Sequence, residues 1–327
     1  MARLTKSFLF KVAQVFISVS LLILVFYQTG LFSEEGRASF LNTLQGADFS
    51  WLLVSIAVGL LINLSSSLKW YMLTTARDLK AGFWRIYSYY LIGQFCNLFL
   101  PTSVGGDVVR SYQLGKYTDN QTDSLASVFV ERYTGVLVLL LIAGIAVLTR
   151  LSVFNVDFIL VSLVIFSLGL GFIAWMLIDE RLYLWFRQLV TSHITNSEKL
   201  FIKIDSLMNS ISVYRNDYRA MVWAFINSLM LYFIAVVNVY VTAKVFQVDI
   251  GFIDMLIATP IIMLIMNLPI SFGNLGLMEF AYIAIFQMMG YSAELALSVA
   301  ILMRLKSLLD GVIGGVLYPI FVTNKTE

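Results

Sequence analysis

Two stretches place helix-breaking and charged residues inside otherwise apolar sequence. One runs Asn97-Leu-Phe-Leu-Pro-Thr-Ser-Val-Gly-Gly-Asp107 and the other Asn267-Leu-Pro-Ile-Ser-Phe-Gly-Asn-Leu-Gly-Leu-Met-Glu279. Both contain the pattern P-x-S-(V/F)-G-(G/N). Proline removes a backbone donor and stops a helix, and glycine lets the chain turn. Helix breaks are therefore expected at Pro101, Gly105 and Gly106, and again at Pro269, Gly273, Asn274 and Gly276. In hydrocarbon a broken helix survives only where protein or a water-filled cavity covers it. Two such breaks in corresponding halves of a membrane chain point to a transport-type site at the interface of the halves.

The charges near these breaks define the chemistry. Asp107 and Glu279 follow the two breaks, and Arg110, Glu131, Arg132, Arg304, Lys306 and Asp310 lie in the apolar segments after them. Charges inside a bilayer cost several kcal/mol by most estimates and mark pathways or paired interior sites. A half-helix amino terminus offers free N–H groups and a positive dipole to an anion. Val104-Gly105-Gly106 and Gly273-Asn274-Leu275-Gly276 are positioned to begin such half-helices. With Arg132 and Arg304 they could hold a lipid phosphate at mid-membrane depth. Asp107, Glu131 and Glu279 would pair with the cations when the site is empty, or carry a proton. An amine-bearing headgroup would need those same carboxylates. The bland alternative is structural pairing: Lys306 and Asp310, four residues apart, would neutralise each other, and Glu131 and Arg132 would pair with neighbouring helices. Lys69, near the end of an apolar run, is expected to snorkel to the interface.

The rest of the composition fits lipid as the solvent. Of 327 residues 59% are apolar and 13% charged, where a soluble domain averages about 45–50% and about 25%. The mean hydropathy is +0.85. A net charge of +2 gives no basic surface for nucleic acid. One cysteine, Cys96, and one histidine, His193, exclude an internal disulfide and a His- or Cys-rich metal centre; no cofactor or metal is expected. The fold class expected is an all-α polytopic membrane protein forming a single integral membrane domain over 1–327. Full spans are expected near 8–27, 51–73, 124–148, 157–178, 221–246 and 294–322. Half-length helices 86–100 with 104–116, and 253–268 with 275–289, make two re-entrant hairpins; eight continuous, kinked spans are the alternative. Residues 31–49 suit a short interfacial helix.

The halves, about 51–150 and 221–322, are then inverted repeats, the arrangement that supports alternating access. Ala126-Ser127-Val128 can be set against Leu297-Ser298-Val299. The connector 179–220 carries Arg181, Arg187, Lys199, Lys203, Arg215 and Arg219, so it is expected on the cytoplasmic side, as are both termini of a multi-pass protein of the cell membrane. Leu200, Ile204, Leu207 and Ile211 recur at helical spacing and suggest a helix lying on the membrane. Arg37, Arg150 and Lys244 are the Lys and Arg residues left outside. Gly311, Gly314 and Gly315 permit close helix packing, within the chain or in a homodimer.

Three segments together resemble a known family. Leu100-Pro-Thr-Ser-Val-Gly-Gly-Asp-Val-Val-Arg110, Glu131-Arg132-Tyr-Thr-Gly135 and Pro269-Ile-Ser-Phe-Gly-Asn-Leu-Gly-Leu-Met-Glu279 are similar to the lysylphosphatidylglycerol synthase transmembrane, or flippase-like, family. That resemblance implies an integral membrane protein related to the flippase half of the bacterial multiple peptide resistance factor. The full lysyl-transferring enzymes carry a soluble aminoacyl transferase domain after the membrane part, and this sequence ends at Glu327 without one. The resemblance therefore implies lipid translocation and not lysyl transfer. A flippase for a phospholipid or polyprenyl-linked lipid is the leading expectation. The alternatives are a membrane-embedded enzyme acting on a lipid phosphate, with Asp107, Glu131 or Glu279 as base or metal ligand, and a non-transporting scaffold that binds a lipid-modifying enzyme through 179–220. No nucleotide loop or nucleophile motif supports the enzyme.

Overall fold

The computed structural model describes residues 2–100, 105–149, 164, 167–172, 175, 180–193, 198–268 and 270–323. Among them the chain forms helices and no strand, as backbone groups in lipid must be satisfied within the chain. The helices are α1 (Ala2–Gln28), α2 (Glu34–Gln45), α3 (Phe49–Thr75), α4 (Phe83–Asn97), α5 (Gly105–Thr118) and α6 (Gln121–Thr149). They continue with α7 (Glu180–His193), α8 (Glu198–Asn216), α9 (Tyr218–Lys244) and α10 (Phe252–Met266). After the 3₁₀ turn Phe272–Asn274 come α11 (Leu277–Met288) and α12 (Ala293–Thr323). The expected fourth span, 157–178, lies largely outside the described residues.

Short polar side chains set the helix starts. Asp48 caps α3 by accepting from the N–H of Ser50 at 2.8 Å, and Asp217 caps α9 by accepting from that of Ala220 at 3.0 Å. Such caps satisfy donors that the first turn leaves open. Among the described residues three helices, α3, α6 and α9, are long and apolar enough to cross a membrane. Their outer faces stay apolar: Leu137, Leu141, Ile145 and Leu148 of α6 are exposed, as are Val222, Phe225, Ile226 and Phe233 of α9. Exposed apolar faces on this scale suit contact with lipid. The apolar segment expected over 294–322 is found as one continuous helix, α12, which carries Arg304, Lys306 and Asp310.

Two cores fill most of the interior. The larger joins α6, α9, α10, α11 and α12 through apolar side chains such as Leu139, Val236, Ile261, Phe286 and Val299. The smaller joins α3, α4, α5 and α6 around Trp70, Ile86, Tyr89, Leu114 and Val128. Helix α4 packs along α12, and α3 along α9. Two approaches, of α4 to α12 and of α4 to α5, bring backbones nearly into contact. A Cβ on Gly314 would lie 2.0 Å from the carbonyl oxygen of Leu91, and one on Gly106 would lie 2.1 Å from that of Gly93. Gly311 and Gly315 likewise face Leu98 and Phe95. The α12 glycines thus serve packing against α4 within the chain.

In the connector, helix α8 forms, and the C-terminal end of its apolar stripe packs on protein, with Leu207 partly buried there. Ile211 and Tyr214 bury against Leu73, Ala126, Val130 and Ala224, and the Tyr214 hydroxyl donates to the Leu73 carbonyl at 2.9 Å. Arg187 of α7 pairs with Asp205 of α8 at 3.1 Å, and Tyr183 donates to the same carboxylate. Burial and this bond push the Tyr183 hydroxyl up to about 12.

The close α4–α12 crossing yields a test. Gly314→Val is expected to destabilise the protein by about 1–3 kcal/mol or more, since overpacking here meets backbone. Gly144→Val, whose Cβ would meet nothing within 4 Å, is expected to leave the melting midpoint in detergent within a few degrees of the parent. Equal midpoints for the two variants would contradict the packing described.

Candidate functional site

Both breaks are tied across by asparagine side chains. At the first, α4 ends at Asn97, and its Oδ1 accepts from the N–H of Gly106 at 2.6 Å. At the second, the Asn274 side-chain amide donates to the Met266 carbonyl at 3.1 Å. Gly273, Asn274 and Gly276 all have positive φ, at 54°, 58° and 77°, a region that glycine and asparagine enter most easily. Helix α1 covers this break: the Phe272 N–H donates to Ser18 Oγ at 2.9 Å. Pro101 and Pro269 lie outside the described residues. The half-helix amino termini are less open than the sequence suggests. The Gly106 N–H is held by Asn97, and the Gly276 N–H donates to Glu279 Oε2 at 2.9 Å.

The charges assemble into two clusters that share a design. In each, a carboxylate in the first turn after the break pairs with an arginine on the following helix. Asp107 takes Arg132 by two contacts, from Nε at 2.7 Å and from Nη2 at 2.9 Å. Glu279 takes Arg304 from Nε at 2.5 Å and from Nη2 at 3.1 Å. Both pairs are separated by 25 residues. Arg304 also donates to the Asn274 carbonyl at 2.9 Å, which links the second cluster to its own break. Paired contacts of this kind are the strong, orientation-fixing form of ion pair.

The first cluster has an inner layer. Arg110 is 1% exposed, donates to Asp107 Oδ1 at 2.9 Å and pairs with Glu131. Its guanidinium lies 4.5 Å from the Trp70 ring centroid and 5.2 Å from that of Tyr90, where the ring faces stabilise a desolvated cation. The Trp70 indole in turn donates to Ser127 Oγ at 3.0 Å. Glu131 and Arg132 are therefore neighbours with different jobs. Glu131 is buried on Arg110, while the Arg132 side chain is 46% exposed.

That exposure faces a cavity. A space of about 530 Å³ is lined by Arg132 and Arg304, by Gln94, Asn97 and Leu98 at the first break, and by Asn267, Phe272 and Asn274 at the second. The two breaks and the two cavity-facing arginines thus meet around one volume, within the range of ligand sites. Asp107 and Glu279 stand behind the arginines, and Arg110 stands behind Asp107.

Two lysines are placed differently from expectation. Lys69 does not snorkel. It is 3% exposed, and its Nζ donates to the Glu131 carbonyl at 2.6 Å. It lines a second space of about 170 Å³, which shares Tyr90, Arg132, Met263 and Asn267 with the larger one. The signal was present in Ser65-Ser66-Ser67, a polar run that an apolar helix turns inward. Lys306 does not turn to Asp310. Its Nζ donates to Ser55 Oγ at 2.8 Å, Asn238 Oδ1 at 2.7 Å and Thr242 Oγ1 at 2.7 Å, between α3 and α9. Three oxygens match the three ammonium donors, so this residue clamps helices together away from the cavity. Asp310 does not line the cavity either.

Comparison with known proteins places the chain among membrane proteins. The chain is similar to two membrane proteins of the UPF0104 group from Methanothermobacter thermautotrophicus. One is 23% identical over 282 residues, covering 81% of this chain and 83% of the relative. The other is 23% identical over 317 residues, covering 91% and 90%. No solved structure matches the chain. The profile of the lysylphosphatidylglycerol synthase TM region matches residues 11–315, and the protein belongs to that family of membrane proteins.

Proposed function

We propose that the protein moves a lipid between the leaflets of a membrane, with the cavity between the two breaks as its headgroup site. The observation that carries this is the meeting of Arg132 and Arg304, one from each half, on a single space of about 530 Å³. A lipid phosphate would bridge the two guanidiniums while its tails stay in hydrocarbon. The carboxylates hold the Nε and Nη2 groups of both arginines, and the Nη1 groups are left to donate to the phosphate. Asp107 and Glu279 hold the arginines in place when the site is empty. They keep the cost of burying them down, since an unpaired charge at this depth is costly.

The equal 25-residue spacing of the two ion pairs supports a repeat relation between the halves. We read α4–α5 and α10–α11 as hairpins that enter from opposite faces, and the surrounding spans as inverted repeats with both termini cytoplasmic. Alternating access then exposes the same arginines to one leaflet and then the other. The family match to a lipid-related membrane region supports a lipid as cargo. The phosphate is carried without chemical conversion.

Two predictions separate the cavity from its scaffold. In proteoliposomes containing acyl-chain-labelled anionic phospholipid, Arg304→Ala and Arg132→Ala are expected to slow transbilayer movement at least about tenfold, the equivalent of one lost contact worth about 1.4 kcal/mol. Arg132→Ala leaves Asp107 paired with Arg110 and is expected to stay folded; Arg304→Ala would strand the buried Glu279, so it is made together with Glu279→Gln, and movement at the parental rate in either folded variant would refute the site. Arg110→Met is expected to act on the fold instead. It strips Glu131 of its guanidinium partner, and such a loss destabilises by about 3–5 kcal/mol. Thermal unfolding in detergent checks this, and an unchanged midpoint would show that the inner layer is not structural.

A further inference from the structure

The two adjoining spaces carry a charge imbalance. Four cations, Lys69, Arg110, Arg132 and Arg304, meet three carboxylates, Asp107, Glu131 and Glu279. Every carboxylate is already engaged: Asp107 by Arg110 and Arg132, Glu131 by Arg110, and Glu279 by Arg304 and the Gly276 N–H. The surplus positive charge belongs to Lys69. Its one hydrogen bond among the described residues goes to a backbone carbonyl, so two of its three donors remain for an occupant. The smaller space beside it is also lined by Arg132 and by Glu131, whose carboxylate is paired with Arg110, and its other polar groups are neutral. Ser66 contributes a hydroxyl, Ser228 Oγ donates to its own helix at 2.8 Å and can still accept, and the Asn267 amide donates to Met263 at 2.8 Å, which leaves its oxygen free.

We infer that the cargo is a net-anionic lipid with a hydroxyl-bearing headgroup, and that Lys69 selects it by excluding amines. This rests on the transport reading above and names the headgroup class of the same site. The phosphate lies between Arg132 and Arg304 in the larger space, and the hydroxylated end enters the smaller one, where Ser66, Ser228, Asn267 and Lys69 can bond it. A phosphodiester brings the one negative charge that neutralises the cluster. An ammonium in the smaller space would sit beside Lys69 and Arg132, and the one carboxylate there, Glu131, is already paired with Arg110; like charges so juxtaposed cost several kcal/mol. Phosphatidylglycerol has the required chemistry. Phosphatidylethanolamine does not, nor does lysyl-phosphatidylglycerol, whose added ammonium groups would meet the same cations.

The test uses the full chain in proteoliposomes with acyl-chain-labelled phosphatidylglycerol, phosphatidylethanolamine and lysyl-phosphatidylglycerol, beside melting shifts of the detergent-solubilised protein with the same unlabelled lipids. Phosphatidylglycerol is expected to move at least about tenfold faster than either amine-bearing lipid and to raise the melting midpoint where they do not. Lys69→Met is expected to erase that preference and Lys69→Arg to retain it. Equal movement and equal shifts for all three lipids on the parent protein would overturn the inference without touching the transport reading, and so would a folded Lys69→Met that keeps the preference. If no lipid moves, the transport reading fails, and the melting shifts still decide the headgroup class. A shift from soluble glycerol phosphate equal to that from phosphatidylglycerol would assign the site to a free anion and overturn the lipid assignment.

Discussion

Holding a guanidinium inside an apolar bundle requires a carboxylate placed to meet it, and the arrangement of this protein follows from that constraint. A lone charge at this depth is expensive. Asp107 and Glu279 meet the need by standing in the first turns of α5 and α11, immediately after the breaks. The breaks are what allow a helix to begin inside the bundle, and the following helices, α6 and α12, present Arg132 and Arg304 to those first turns. Ion pair, break and helix start are therefore one device, used twice.

Close backbone packing serves the same device. Gly93 and Gly106 let α4 and α5 approach until only glycine fits, and Gly314 lets α12 cross α4 in the same way. These contacts set where α12 lies, and so where Arg304 points. The Lys306 clamp on Ser55, Asn238 and Thr242 fixes α12 from its other side, against α3 and α9. With α12 held on both sides and its arginine ion-paired at a cavity, the proposed anion site would be preorganised, with little side-chain entropy left to lose on binding.

Much of this was legible in the sequence. The repeated P-x-S-(V/F)-G-(G/N) pattern placed both breaks, and the carboxylates after them and the arginines beyond them were identifiable because charge stands out in apolar sequence. Which charge meets which was not legible. The partners of Lys306 lie across the bundle on α3 and α9, not four residues along its own helix, because neutral oxygens there fill all three of its donors. Lys69 shows a related limit: distance from a helix end says little when the flanking serines turn the residue inward. The α8 stripe shows the limit of periodicity, which marks an apolar face without saying whether lipid or Leu73 and Ala126 will cover it.

The central claim is that both breaks and both arginines enclose one hydrated cavity that takes a lipid headgroup. Cysteine accessibility tests it most directly. In a Cys96→Ser background, single cysteines at Gln94 on α4, Met266 on α10 and Ser307 on α12 would be probed with a charged thiol reagent in membranes, with Val138, which is fully buried, as the control. The account predicts that all three cavity positions react, that Val138→Cys does not, and that phosphatidylglycerol protects the three together. Positions that stay unreactive, or that react but are protected independently of one another, would contradict a single shared site.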